Sequence, residues 1–283
     1  MPIRATLAEH NDGERDARLG ILALALPLSV RLFEDGADMA VQRMIILVFV
    51  FIVAYGWSAV FAKRLGRRPE AAQAHFAMLF CILLPYPVGW VGALLAVSFG
   101  WVFGREIFGG HALLSPALLA LAFAIFSFPE GGYQLEGILT TRPEPLLALA
   151  CLPGAALLLW KKALAWPVAG GAALGLMAGG AFNATATAAT WSAYVGPEYF
   201  GLGHVLLGTV GVGVLFIAAA QDCAPRKMAA RWLYGALVGV LIVVLRVANP
   251  DHPDGVAFAI LLATLFAPLL DRALGWRSRD AVS

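Results

Sequence analysis

Arg246 stands at the end of an apolar run and is followed by a short loop with two prolines. The loop, residues 249–255, reads NPDHPDG, and a second apolar run then continues to Asp271. A charge near membrane depth is costly and usually paired, and a guanidinium can make two parallel hydrogen bonds. Arg246 could therefore pair with Asp251 or Asp254, hold an anionic ligand, or extend toward the water interface. Asp254 also stands where it can cap the following helix.

A glycine-rich stretch is the second candidate site. Residues 103–111 read FGREIFGGH, and Ser115 and Pro116 follow shortly after. Gly109 and Gly110 permit a tight turn, and irregular backbone at membrane depth survives where it lines a cavity or is buried in protein. The stretch is therefore either part of a cavity wall or a packed turn that leads into a helix.

The composition indicates that membrane helices position these residues. Of the 283 residues, 60% are hydrophobic and 13% are charged, which is atypical of soluble domains. A net charge of +2 gives no indication of nucleic-acid binding. The cysteines are far apart and form no C-x-x-C pair. Because Cys81 and Cys151 lie in apolar runs, we expect buried small side chains rather than disulfides or metal ligands.

Ten apolar segments predict an all-α polytopic membrane protein with about ten transmembrane helices. The segments are 17–33, 39–61, 71–87, 88–104, 112–128, 146–160, 163–182, 202–220, 232–248 and 254–271. On this interpretation, residues 1–16 form a cytoplasmic N-terminal tail and 273–283 a cytoplasmic C-terminal tail. The transmembrane domain, 17–272, has halves of about 17–128 and 146–272.

The charges between the segments alternate in sign. Basic residues predominate in every second loop, and acidic residues collect in the others, whose one clear base is Arg142. Since cytoplasmic loops are rich in lysine and arginine, this pattern predicts a bacterial-type inner-membrane protein with both termini in the cytoplasm. Arg31 and Arg43 interrupt the first two segments, and we expect their side chains to extend toward the interface.

A weak internal repeat relates the two halves. Trp90 precedes Arg105 at nearly the spacing by which Trp232 precedes Arg246. Each arginine is followed by a Gly- or Pro-rich turn and then by an apolar helix with an internal proline. Five helices per half would make the repeats inverted across the membrane, and such repeats place a functional site near the midplane.

The last helix pair resembles a known family. Residues 246–271 follow the pattern R-x-x-N-P-x-x-P-D-G-x-x-F-A-I-L-L-A-x-L-F-A-P-L-L-D. This is similar to the NqrB/RnfD family, the membrane flavin subunits of the sodium-pumping NADH:quinone reductase and of the Rnf electron-transport complex. The glycine-rich stretch resembles the family motif G-K-x-x-F-G-G-x-G-x-N-x-F-N-P-A. It is two residues shorter, and both asparagines are missing, with Ser115 in the second place.

The resemblance implies a flavin site. Gly109, Gly110 and Ser115 would help to hold the cofactor, and Arg246 and Asp254 would complete the candidate set.

In the family, the next loop carries D-G-x-S-G-A-T, whose threonine is esterified to the phosphate of FMN. In this chain, Glu136-Gly137 stands at the Asp-Gly position, Ser-Gly-Ala-Thr is absent, and Thr141 is the only surrogate. We therefore expect FMN or riboflavin to be held non-covalently rather than covalently.

These observations predict a divergent membrane subunit of an RnfD/NqrB-like electron-transport complex. Membership would imply electron passage through flavin, coupling to Na⁺ or H⁺ translocation, and other membrane redox subunits as partners in the lipid bilayer. Other redox subunits are expected because the chain has neither an iron–sulfur ligand set nor a dinucleotide loop. No catalytic residue and no metal ligand is assigned. The weakened flavin motifs leave two alternatives open, a non-redox channel or permease and a cofactor-free assembly subunit.

Overall fold

The described parts of the chain are almost entirely helical. The computed structural model describes residues 2–65, 72–84, 89–108, 114–128, 145–186, 209–221, 224–248 and 255–280. Within them lie ten α-helices: α1 (Pro2–Asp35), α2 (Ala37–Leu65), α3 (Ala72–Leu83), α4 (Trp90–Trp101), α5 (Pro116–Ser127), α6 (Pro145–Trp160), α7 (Trp166–Ala186), α8 (Val210–Val212), α9 (Met228–Ala248) and α10 (Val256–Asp280). Two π-helical segments, Val102–Glu106 and Gly213–Ala218, continue α4 and α8. The predicted all-α class is confirmed, and each helix overlaps one predicted segment.

Three of these helices are long and apolar enough to cross a membrane. They are Ala37–Arg64, Met228–Arg246 and Val256–Leu274. The stretches Ala72–Leu83, Pro116–Ser127 and Pro145–Trp160 are apolar but shorter. The chain is therefore a helical membrane protein, whereas a total of ten spans remains a prediction.

Contacts divide the chain into two compact units. The first contains Met1–Ala112, Pro116–Tyr133 and Ala150–Ala163, and the second contains Leu113–Ser115, Gln134–Leu149 and Leu164–Ser283. In the first unit, α3 packs on α1 and α2, and α4 packs on α2 and α5. In the second unit, α9 packs on α7 and α10.

The first unit encloses large side chains together with small ones at helix crossings. Trp101 and Phe80 are fully buried, and the rings of Phe76 and Trp101 lie 5.0 Å apart between centroids. Gly100 faces α5, where an added Cβ would lie 2.6 Å from the carbonyl oxygen of Pro116. Any larger residue at position 100 would therefore push α4 and α5 apart.

In the second unit, α7 and α9 meet backbone to backbone. Gly171 and Gly175 on α7 face Gly235 and Gly239 on α9, at a spacing of four residues on each helix. A Cβ at any of these four positions would overlap a backbone carbonyl oxygen of the facing helix. This reciprocal small-xxx-small packing lets two membrane helices approach closely and gain dispersion contacts.

Polar bonds join α9 to α10. The hydroxyl of Thr264 donates to the carbonyl of Ile260 at 2.7 Å, so the Tyr234 hydroxyl, 3.1 Å away, donates to Thr264. At the start of α9, the carboxylate of Asp271 accepts from the backbone N–H groups of Arg226 and Lys227 at 2.8 and 3.0 Å. Asp271, on α10, therefore satisfies the two backbone amides that directly precede α9.

Candidate functional site

The glycine-rich stretch of the sequence begins in a π-helical turn. The α-helical pattern of α4 ends at Trp101, and Val102–Glu106 continue as a π-helix. The N–H of Ile107 closes this turn by donating to the carbonyl of Val102 at 3.0 Å. Such π-helical turns inside helices occur frequently at functional sites. Here the π turn ends the helix, and the described part of the glycine-rich stretch stops two residues later at Phe108.

A buried carboxylate lies at the end of the π turn. Glu106 is 6% exposed, and its Oε1 accepts from Trp101 Nε1 at 3.0 Å and from Ser58 Oγ at 3.2 Å. Trp101 Nε1 also lies 3.0 Å from Ser58 Oγ, so the three side chains form a closed set. Because an unsatisfied buried carboxylate would be strongly destabilising, these donors allow Glu106 to occupy an apolar interior. We call Ser58, Trp101 and Glu106 the Glu106 cluster.

Arg105 brings a positive charge to the same cluster. Its guanidinium carbon lies 5.1 Å from the centroid of the Trp101 ring, in the range of a cation–π contact. The indole therefore donates to the carboxylate at its edge while its face receives the neighbouring guanidinium. Trp101 therefore contacts both the positive charge of Arg105 and the negative charge of Glu106.

The second buried charge of the first unit is Arg43. It is 2% exposed, forms an ion pair with Asp35, and donates to the carbonyls of Cys81 and Leu84, the latter at 2.7 Å. These carbonyls lie at the C-terminal end of α3, where backbone oxygens lack partners within the helix. The expectation that Arg43 extends to the interface is therefore wrong. Its fork instead links the end of α1, the start of α2 and the end of α3.

The predicted flavin residues are described only in part. Ser115 is buried directly before α5, and Arg246 is buried in the last turn of α9 and engaged by other groups of the protein. The remaining candidates, Gly109, Gly110, Thr141 and Asp254, lie outside the described residues.

The turn before α10 packs on the end of α9. An added Cβ at Gly255 would lie 2.7 Å from the Cβ of Leu245, the residue next to Arg246. This contact places Gly255, the last residue of the loop, against the last turns of α9. The contribution of Arg246 itself stays a prediction.

The two described cysteines are buried and unpaired, as predicted. Cys81 and Cys151 are both 0% exposed and form no disulfide, whereas Cys223 lies outside the described residues. Across the described residues, no group of three or more His, Cys, Asp or Glu side chains is arranged to hold a metal ion.

Sequence reasoning missed Ser58, Glu106 and the cap at Asp271. Ser58 carried a usable signal, because it is a polar residue within the apolar run of α2. Glu106 lies inside the glycine-rich motif, but at one of its variable positions. Asp271 was interpreted as the end of a membrane segment, because the hydropathy pattern does not show which helix start lies beside it.

Together, the apolar helices and the buried polar cluster at the end of α4 define a helical membrane protein. The chain belongs to the NQR2, RnfD, RnfE family, which it matches over residues 7–135 and 144–278.

Curated relatives cover most of the chain. It is 31% identical to the NqrB subunit of the Na(+)-translocating NADH-quinone reductase of Pseudomonas aeruginosa (strain LESB58), over 94% of this chain and 74% of that protein. It is 30% identical to the protein of the same name from Klebsiella pneumoniae (strain 342), over 82% of this chain and 66% of that protein.

Proposed function

We propose that this chain is a membrane subunit of an RnfD/NqrB-like electron-transport complex. In that complex it passes electrons through FMN or riboflavin, bound without a covalent link, and is coupled to Na⁺ or H⁺ translocation. The observation that carries the proposal is the family match, which includes both the glycine-rich stretch and the last helix pair. The relatives are each one subunit of a reductase, which supports a place among other membrane redox subunits. The chain would then act within an oxidoreductase rather than as an enzyme alone.

Two described residues offer groups that would suit the anionic end of a flavin mononucleotide. Arg246 supplies a buried guanidinium whose fork suits a phosphate group, and Ser115 supplies a buried hydroxyl in the same unit. Gly104 serves packing instead, since an added Cβ would lie 2.9 Å from the Cα of Pro116. When bound, a flavin supplies one- and two-electron transfer.

The other predicted residues have assigned roles in this proposal. Gly109 and Gly110 would bring backbone N–H groups close to the cofactor, because glycine has no side chain to keep the ligand away. Asp254 would start α10 and pair with Arg246. Thr141 is the position at which covalent attachment would occur if it occurred at all.

The Glu106 cluster would position the glycine-rich stretch. Its hydrogen bonds connect the end of α4 to Ser58 on α2. Glu106 is the last residue of the π-helical segment and precedes Gly109 by three residues. Because the end of α4 is held by backbone and side-chain hydrogen bonds, the glycine-rich stretch that follows it would leave the helix in a fixed direction. In this role Glu106 is a positioning residue, not a catalytic one.

The flavin content of the purified chain tests the proposal. The protein, prepared in mild detergent and protected from light, should show a flavin absorption band that acid precipitation releases into the supernatant. Arg246→Lys should keep normal membrane levels while bound flavin falls by roughly 5- to 30-fold, equivalent to about 1–2 kcal/mol for a charge-assisted hydrogen bond.

Arg231→Gln is a matched control for charge. Arg231 lies near the other end of α9 and donates to the carbonyl of Pro225 at 2.8 Å, so its replacement should leave the flavin content unchanged. Wild-type flavin in both Arg246→Lys and Arg246→Gln would exclude a cofactor role for Arg246.

Denaturing gels separate covalent from non-covalent binding. Under ultraviolet light no fluorescent band is expected, even when a flavin transferase is co-expressed, because the Ser-Gly-Ala-Thr context is absent. A band that disappears in Thr141→Ala would overturn this part of the proposal.

A colourless protein would favour the alternatives. Solute flux through liposomes that contain the colourless protein would support a channel or permease. Without flux, co-purification with redox subunits would support an assembly subunit. A flavin that acid precipitation releases, found together with co-purifying redox subunits, would exclude both the channel or permease and the assembly subunit.

The proposed topology has ten spans in two inverted repeats, with both termini in the cytoplasm. Within the first unit, Arg15 reaches the carbonyl of Lys161, so these two predicted cytoplasmic positions lie at the same end. Reporter fusions after Arg68 and Lys162 should read cytoplasmic, and a fusion at Glu136 periplasmic. A cytoplasmic reading at Glu136 would contradict the topology.

A further inference from the structure

A groove on the first unit lies where the apolar part of α1 begins. It is lined by Glu14, Arg15, Arg18, Leu19 and Leu22. Residues three and four apart share one face of a helix, so the charged and apolar side chains follow one another along the same face. The groove is therefore polar at one end and apolar at the other.

Two more basic residues adjoin the charged end. Arg15 Nη2 donates to the carbonyl oxygen of Lys161 at 3.4 Å, which places the turn after α6 beside the groove. Lys161 Nζ lies 4.4 Å from the ring centroid of Trp160, and both Lys161 and Lys162 are exposed. A turn that carries two exposed lysines therefore lies next to the two arginines of the groove.

The apolar end continues along α1 as an exposed surface. Leu22 is 65% exposed, Leu26 one turn farther is 47% exposed, and Trp160 beside the basic turn is 76% exposed. Tryptophan is enriched where a membrane meets water, and the transition from arginines to leucines marks the same level. The charged end therefore lies at headgroup depth, with the leucines toward the hydrocarbon.

We propose that this groove binds one anionic phospholipid. Arg15 and Arg18 would hold the phosphate, with Lys161 and Lys162 adding positive charge, and the acyl chains would lie along Leu19 and Leu22. Basic pockets beside membrane helices bind anionic lipid headgroups in this way. The proposal does not depend on whether the chain carries a flavin.

Glu14 opposes this binding. Its Oε2 lies 2.9 Å from Arg18 Nη2, in an ion pair whose side chains are 26% and 69% exposed. An exposed pair contributes little to stability, so a lipid phosphate can displace the carboxylate from Arg18. Asp16, the other acid of this turn, does not line the groove. Neutralising Glu14 and neutralising the arginines should therefore change lipid binding in opposite directions.

Native mass spectrometry of the full chain tests the site. The protein in neutral detergent is mixed with phosphatidylglycerol or with phosphatidylcholine of the same acyl chains, and bound lipid is counted. The wild type should retain phosphatidylglycerol preferentially. Arg15→Gln/Arg18→Gln should lower that retention at least several-fold, and Glu14→Gln should raise it.

Two variants control for net charge. Arg64→Gln removes a basic residue and Asp38→Asn an acidic one, and neither residue lines the groove. Both should leave lipid retention unchanged.

Three outcomes would overturn the proposal. They are equal retention of the two lipids, unchanged phosphatidylglycerol retention in the arginine variant, and complete displacement by millimolar inorganic phosphate, which would indicate a simple phosphate site. If the arginine variant does not fold, a failure of Glu14→Gln to raise retention would decide against the lipid.

Discussion

In the first unit, α2 is joined to its neighbours by buried polar side chains, whereas in the second unit α7 and α9 are joined by their backbones. Arg43 and the Glu106 cluster make hydrogen bonds from α2 to α1, α3 and α4. The glycines of α7 and α9 make no such bonds and instead leave each helix in contact with the carbonyls of the other.

The difference reflects two ways in which membrane helices can associate. Lipid tails are as apolar as leucine, so apolar burial alone does little to hold such helices together, and either close packing or hydrogen bonds must contribute. Close packing depends on the shape of the whole interface. A hydrogen-bonded set can be weakened one donor at a time. Substitutions in the first unit should therefore lower the stability in graded steps. Substitutions at the glycines of the second unit should lower it abruptly.

The largest effect is expected from Gly175→Leu. An added Cβ at position 175 would overlap the carbonyl of Ala236 and would lie 3.0 Å from its Cα, so α7 and α9 could not keep their spacing. Overpacking typically costs about 1–3 kcal/mol and occasionally more. Here the added side chain meets backbone atoms, so the two helices must separate, and the loss should exceed that of the single side-chain removals below. Membrane levels and monodispersity in gel filtration should fall sharply.

Gly56→Leu is the matched control for this substitution. Gly56 lies on α2, and an added Cβ there would meet nothing within 4 Å. This variant should accumulate as the wild type does. Equal behaviour of the two variants would contradict the packing model.

A smaller but substantial effect is expected from Arg43→Met. Removing one partner of a buried ion pair typically costs about 3–5 kcal/mol, because the other charge remains without compensation. Thermal unfolding in detergent, followed by tryptophan fluorescence, should show a clear fall in the midpoint.

Two further variants sharpen this result. Arg43→Lys should be intermediate, since lysine keeps the charge but loses the planar fork. Asp35→Asn combined with Arg43→Met should recover part of the loss, because no uncompensated carboxylate remains. A wild-type midpoint for Arg43→Met would instead indicate that the side chain extends to the interface.

Trp101→Phe should have a moderate effect. It keeps the ring contact with Phe76 but removes the N–H that Ser58 and Glu106 share, which should destabilise the fold by about 1–2 kcal/mol. Trp57→Phe removes a comparable hydrogen bond to Ser98, 2.9 Å long, at a more exposed position and should cost less. Similar unfolding midpoints for the two variants would argue against a special role for the Glu106 cluster.

The smallest effect is expected from Asp271→Ala. Loss of a helix cap costs typically about 1 kcal/mol, and Asp271 accepts both of its amide bonds at the protein surface. The midpoint should fall slightly, and Arg272→Ala, next to it on α10, should not change it. A larger loss than that of Trp101→Phe would reverse the order predicted for these two variants.

The helices could be predicted because apolar runs are a local property of the chain. Their ends could not, because helix continues through polar residues that carry no hydropathy signal. Thus α1 begins at Pro2 rather than near residue 17, and α10 extends to Asp280. The π-helical turns were also missed, since a shift from α to π geometry leaves the residue types unchanged.

The sequence predicts a location for the candidate site but not the contacts within it. The glycine-rich stretch and Arg246 were found from their residue types. The partners of Arg43 were not, because the α3 carbonyls it contacts are 38 and 41 residues away along the chain. Long-range pairing of this kind depends on which helices become neighbours, and residue spacing does not contain that information.

The bond between Asp271 and the start of α9 has a consequence for biosynthesis. The amide of Lys227 is satisfied by a carboxylate 44 residues later in the chain. While α9 leaves the ribosome, that carboxylate has not yet been synthesised, and the end of α9 must be hydrated by water instead. The turn that leads into α9 therefore reaches its final hydrogen bonding only after α10 has been synthesised.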